Sequence, residues 1–135
     1  GSVEGNHCEG VDDCFWPFFG ADGDRKQVRF IQSSGGESLE AIAFGSEGHL
    51  RLAGVYDAQV LDLNHVGRKD GFVAKYQYDE DDFQRQWAVR LVSPSNEKIA
   101  GLGFLSDGHL VAAGSTSGNL QGMTNIGKND GFLAW

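Results

Sequence analysis

The amino-acid sequence predicts an all-β protein assembled from a repeated four-stranded antiparallel unit, and three observations carry that prediction. The first is an internal repeat: Glu37 to Ala74 lies over Glu97 to Ala134 without a gap, in a register of sixty residues. Identical pairs include Phe44/Phe104, Ser46/Ser106, Gly48-His49-Leu50/Gly108-His109-Leu110, Ala53-Gly54/Ala113-Gly114, Gly67/Gly127 and Asp70-Gly71-Phe72/Asp130-Gly131-Phe132. Similar pairs such as Val60/Leu120, Val66/Ile126 and Val73/Leu133 fill the gaps, so a hydrophobic pattern and a set of turns repeat together. The second is period-two alternation in short segments, the mark of strands with one wet face. The third is turn chemistry: 20 glycines against 2 prolines, with acid-glycine pairs opening the segments.

Taken in chain order, residues 1 to 26 form an N-terminal extension without a clean period. Within it, Cys14 to Phe19 is apolar and aromatic apart from Pro17, and Ala21-Asp22-Gly23-Asp24 reads as a turn. Phe15, Trp16, Phe18 and Phe19 are expected to cover an end of the repeat stack, a sugar-stacking platform being the alternative. A first unit spans 27 to 76 and a second 77 to 135. Val28 and Phe30, and later Trp87, Val89 and Leu91, mark alternating strands. Leu39 to Phe44 and Ile99 to Phe104 are apolar on both faces and suit an inner strand. Leu50 to Gly54 and Leu110 to Gly114 follow the turns Ser46-Glu47-Gly48-His49 and Ser106-Asp107-Gly108-His109. Gly71 to Tyr76 and Gly131 to Trp135 complete the pattern behind Asp-Gly. Helix is disfavoured, because the one long window without a strand, Val55 to Val66, has no i, i+3, i+4 stripe.

Four short strands per sixty residues describe a β-propeller blade; a small β-sandwich is the alternative but does not require the repeat. Asp-Gly-Phe-Val-Ala-Lys-Tyr at 70 to 76, Trp87, Arg90-Leu91, Ala-Phe-x-Ser-x-Gly-His-Leu-x-x-Ala-Gly at 43 to 54 and Ala-Ala-Gly-Ser-Thr-Ser-Gly-Asn-Leu at 112 to 120 carry a resemblance. Over residues 27 to 135 the chain resembles the bacterial β-propeller repeat family of secreted and surface proteins. The resemblance implies a scaffold rather than a defined chemistry. The units here are longer than that family's usual one, and Val55-Tyr56-Asp57 stands where the copy has Ser115-Thr116-Ser117.

Asp and Glu number 19 against 11 Lys and Arg, a net charge of -8 that repels phosphate backbones and argues against a nucleic-acid partner. No apolar run is long enough for a membrane span. Gly1-Ser2 reads as the remnant of a cleaved tag. Cys8 and Cys14 can close a small disulfide staple, two free thiols being the alternative; a staple points to an extracellular, cell-surface or periplasmic setting.

No catalytic constellation stands out, and a noncatalytic role is expected. His49 and His109 are equivalent but follow turn glycines, and Ser115 and Ser117 between Gly114 and Gly118 have no helix behind them to form a nucleophile elbow. No cofactor is implied; Asp22-Gly23-Asp24 and the acids 79 to 82 supply oxygen ligands of the kind calcium takes, without a twelve-residue loop closed by glutamate. The connection from 56 to 70 is the expected ligand site. Asp57, Asp62, Asn64 and His65 differ from their copies there and are free to serve a protein or glycan ligand on a rigid scaffold. Two units leave apolar faces uncovered, which predicts further blades from a longer protein or a homo-oligomer with contacts centred on Trp87, Trp135, Phe72 and Phe132.

Overall fold

A computed structural model describes residues 12–46, 48–79 and 82–135 and the backbone of 2–3 and 6–7. Its elements are β1 (Ser2–Val3), β2 (Asn6–His7), β3 (Cys14–Phe19), β4 (Arg25–Ile31), β5 (Glu37–Phe44), β6 (His49–Tyr56), β7 (Asp70–Asp79), β8 (Asp82–Leu91), β9 (Glu97–Phe104), β10 (Leu110–Thr116) and β11 (Asp130–Ala134). They form four antiparallel sheets, ordered β1-β2, β3-β4, β5-β6-β7-β8 and β11-β10-β9. Every sheet is a meander of sequence neighbours, and none of the four closes on itself. Among the described residues no helix is long and apolar enough to cross a membrane.

Strands form where the sequence places them, but Leu39 to Phe44 and Ile99 to Phe104 are not the doubly buried inner strands expected: they lie in β5 and β9 at sheet edges, with Ile42 52% and Phe44 71% exposed, because β6 takes the doubly covered place. Hydrogen bonding then regroups the units. The four-stranded sheet runs from Glu37 to Leu91, so the division at 76 and 77 falls inside β7. Residues Val28 and Phe30, placed with the first unit by sequence, belong to β4 and pair with β3. The reason is that β3 already carries a degenerate copy of the Asp-Gly-Phe strand. Cys14 pairs with Ile31 and Phe15 with Phe30, as Gly71 pairs with Leu91 and Phe72 with Arg90.

Two apolar layers hold the sheets face to face. In the first, Cys14, Trp16 and Ile31 pack on Leu50, Leu52, Tyr56, Phe72, Ala74 and Tyr76 of the central sheet. Trp16 meets Tyr76 edge-on, with ring centroids 5.1 Å apart. In the second, Ala53, Val73 and Leu91 pack on Ile99, Ala112, Leu120 and Phe132. Strand β6 is therefore covered on both faces, and Leu50 to Tyr56 are all buried. A bulge in β5 between Leu39 and Ala41 turns its alternation over, so that Leu39 serves the first layer and Ala41 the second. Strand β9, the copy of β5, carries the same bulge between Ile99 and Gly101 opposite β10.

This layering corrects one expectation. Phe72 is fully buried and Phe132 is 8% exposed, each packed inside the chain, so neither is available to an intermolecular contact. Trp87 and Trp135 do face solvent, at 39% and 87%.

Candidate functional site

The long connections 57–69 and 117–129 lie at one end of the sheets with the short connections 32–36 and 92–96, and the chain reversals that follow Phe44 and Phe104 lie at the other. At the long-loop end the two units share a framework. Asp70 Oδ2 accepts the backbone N–H of Val66 at 2.5 Å, and Asp130 Oδ2 accepts that of Ile126 at 2.6 Å. These are the strand-opening bonds expected of a carboxylate before Gly-Phe. The preceding hairpin is shared too, because Leu61, Asp62, Gln121 and Gly122 all have positive φ. Asp tolerates that left-handed conformation better than most residues, which is how Asp62 stands where the copy has glycine.

The four predicted ligand residues are brought to this end but spend most of their polar groups on the protein itself. Asp57 Oδ1 accepts the Gly36 N–H at 2.7 Å, and Ser117 Oγ does the same for Asn96 at 3.1 Å. Asp62 Oδ2 pairs with Arg85 Nη2 at 2.7 Å on an open surface. The Asn64 carbonyl accepts from the Tyr56 hydroxyl and from Arg90 Nη1, both at 3.2 Å, leaving its exposed side-chain amide to solvent. His65 Nε2 lies 3.1 Å from the Arg68 carbonyl, a contact that places the proton on Nε2.

Burial sets the electrostatics beneath the loop. Asp70 is fully buried and its Oδ1 has no hydrogen-bond partner, so burial pushes its carboxyl above the ordinary range, opposed by the Val66 N–H and by the charges of His65 and Arg90. Burial likewise pushes the Tyr56 phenol up to about 12, helped by Asp70. The phenol so raised stays neutral and donates its proton to the Asn64 carbonyl rather than releasing it.

Sequence reasoning missed what these loops hold out to solvent. Val66 is 44% exposed, Ile126 93% and Met123 58%. The signal was present in the matched aliphatic pair Val66/Ile126.

Ser117 Oγ bonds Ser95 Oγ at 2.7 Å and locks a loop. His109 Nδ1 sits 2.9 Å from Asp107 Oδ1 on an exposed hairpin, and the His109 backbone N–H holds the Asp107 carboxyl below its usual range. Asp22 accepts the Asp24 N–H and faces Lys26, and among the described residues no three acids, histidines or cysteines gather as a metal site. Glu80 and Asp81 of the acidic run lie outside the described residues. So does Cys8, and with it the predicted staple; Cys14 is buried. Comparison with protein-family models and with curated protein sequences gives no match.

Proposed function

We propose that this chain is a noncatalytic binding module, a segment of β-propeller blades that meets a protein or glycan through its long-loop end. One observation carries the proposal: two equivalent loops keep their framework bonds at Asp70 and Asp130 while presenting Val66, Ile126 and Met123 to solvent. Aliphatic side chains held out on anchored loops suit the apolar centre of a protein contact better than a purely polar sugar site. Asp62 and the Asn64 amide then supply a polar rim. The acidic balance disfavours nucleic acid, and the proposed setting, extracellular, cell-surface or periplasmic, rests on a Cys8–Cys14 staple.

The test is selection of ligands from a displayed peptide library and a glycan array, followed by affinity measurement on a V66D/I126D double variant. Both positions are exposed, so the variant should keep its melting temperature while binding falls by at least about tenfold. Selected ligands that bind the variant as tightly as the parent would place the contact elsewhere.

A second reading, self-assembly, is favoured by a different observation. Phe15 occupies the place of buried Phe72, yet is 48% exposed; Leu133 occupies the place of buried Val73, yet is 62% exposed. Each terminal sheet thus offers to solvent a face that its equivalent covers, and a second copy docked head to tail would cover both. Light scattering settles this reading: a mass that stays at 14.6 kDa up to high micromolar concentration rules it out.

A further inference from the structure

At the hairpin end, away from the long loops, one side chain breaks the repeat. Arg51 stands on β6 where the second unit has Val111, on the face of the central sheet turned toward the C-terminal sheet. It is 9% exposed, and Nε and Nη1 are both shut off from solvent without a hydrogen-bond partner. No carboxylate among the described residues pairs with it. A guanidinium stays charged at any ordinary pH, and burying it unpaired is costly.

Its surroundings supply part of an answer. The guanidinium carbon lies 5.6 Å from the Trp87 ring and 5.5 Å from the Phe104 ring. Aromatic faces attract the cation, but they carry no counter-charge. Arg51 also lines a cavity of about 330 Å³ between the two hairpins, with Phe44, Ser46, His49, Phe104 and Ser106 among its walls. With Nε and Nη1 sealed in, Nη2 is the guanidinium nitrogen not shut off, and Arg51 is one of the residues lining that cavity. Phe44, 71% exposed, stands at its edge. Removal from water lowers the Arg51 pKa, in keeping with a cation that lacks its counter-charge.

We infer that this cavity is a binding site for a small monocarboxylate carrying a flat apolar body, its carboxylate held by Arg51 and its body laid against Phe44 and Phe104. The positive group calls for an anion, and the aromatic walls call for an apolar flank. The volume lies at the lower end of small-ligand sites. The net charge of -8 disfavours polyanions, which leaves a single carboxylate as the fitting head group. Such a group occurs in a free aromatic acid and at the C-terminus of a peptide, and both present it in the same way. The site is separate from the long-loop end, so it stands or falls independently of the loop-borne binding proposed above.

The experiment is a titration of the full chain followed by amide NMR, reading the Gly45 and Gly108 signals. Benzoate represents the free acid and N-acetylphenylalanine the peptide C-terminus, with benzamide, N-acetylphenylalaninamide and inorganic phosphate as comparators at matched ionic strength. Saturable shifts are expected with at least one of the two carboxylates, at least about tenfold weaker or absent with its amide, since a charge-assisted bond is lost. Which carboxylate saturates identifies the source. Arg51→Val installs the residue of the second unit; it should melt no lower than the parent and lose the shifts. Phe44→Ala, at an exposed position that cannot threaten folding, should weaken binding about threefold or more. Absence of saturation by either carboxylate overturns the inference, as does phosphate binding as tightly as they do, or undiminished binding by both variants.

Discussion

Asp57 and Gly36 clasp each other across two connections: the Gly36 N–H reaches Asp57 Oδ1 at 2.7 Å, and the Asp57 N–H reaches the Gly36 carbonyl at 3.2 Å. Ser117 and Asn96 make the equivalent clasp with a hydroxyl in place of the carboxylate. Asp57→Ser should therefore leave stability within about 0.5 kcal/mol, whereas Asp57→Leu, which leaves the Gly36 N–H without its acceptor, should cost about 1 kcal/mol. Urea unfolding of the two variants distinguishes a clasp from a free ligand residue, for which both changes would be neutral.

Gly54 and Gly114 sit opposite the two bulges. A Cβ on Gly114 would run into the Lys98 carbonyl oxygen and lie 2.7 Å from Phe132 Cζ; on Gly54 it would meet Ser38 and Phe72 in the same way. Because the nearest obstacle is backbone, neither site can yield cheaply. Gly114→Ala should cost about 1–3 kcal/mol, read as a lowered urea midpoint with an unchanged m-value.

Glu37, buried where Ser33 donates to its carboxylate, has a pKa raised above the ordinary 4.5, chiefly by burial and then by nearby Asp13 and Asp57. A raised carboxyl binds its proton more tightly in the folded state than in the unfolded. Its favourable contribution is thus complete below the ordinary value and is lost as pH rises through the folded one. Glu37→Gln, which keeps an acceptor for Ser33, should gain stability relative to the parent as pH climbs from about 4 toward neutral. Asp70 acts in the same sense. Parallel unfolding curves for parent and variant at every pH would contradict the assignment.

Cys14 is 5% exposed, and burial, with Glu37 next, pushes its thiol up to about 12. Since the thiolate is the nucleophile, the folded protein should resist iodoacetamide at pH 8 at this position, and unfolding should release the reaction. Peptide mapping after alkylation in the unfolded, unreduced state also reports Cys8. Two labelled thiols there would exclude the staple; none would demand it.

Much of the fold was legible because the strands that repeat do so without a gap, and because glycine following an acid marks where they turn. The N-terminal sheet was not, for a definable reason. Asp13-Cys14-Phe15 stands in the frame of Asp70-Gly71-Phe72, while Ile31 stands in that of Leu91. The first offset is three residues shorter than the second, so a gapless comparison that captures one misses the other. Register shifts between Phe18 and Phe19 and between Lys75 and Tyr76 further obscure the alternation of β4 and β8. At the long loops the strand-opening role of Asp70 and Asp130 was legible, and the structural task of Asp57 was not. Asp57 looked free because its copy is serine, yet two residue types that accept the same N–H are interchangeable in that task. Arg51 escaped notice because the strand around it matches its copy so well that one substitution passes as drift.

The covering of β6 and β7 on both faces sets how the chain opens. Amide exchange should be slowest along these two strands and quicken toward β3-β4 and toward β9-β11, each of which has a single packed face. Nearest-neighbour coupling of this kind lets either end detach without carrying the middle with it, whereas loss of the middle releases both. A core change at Leu52 or Ala53 is thereby felt at residues that touch neither position.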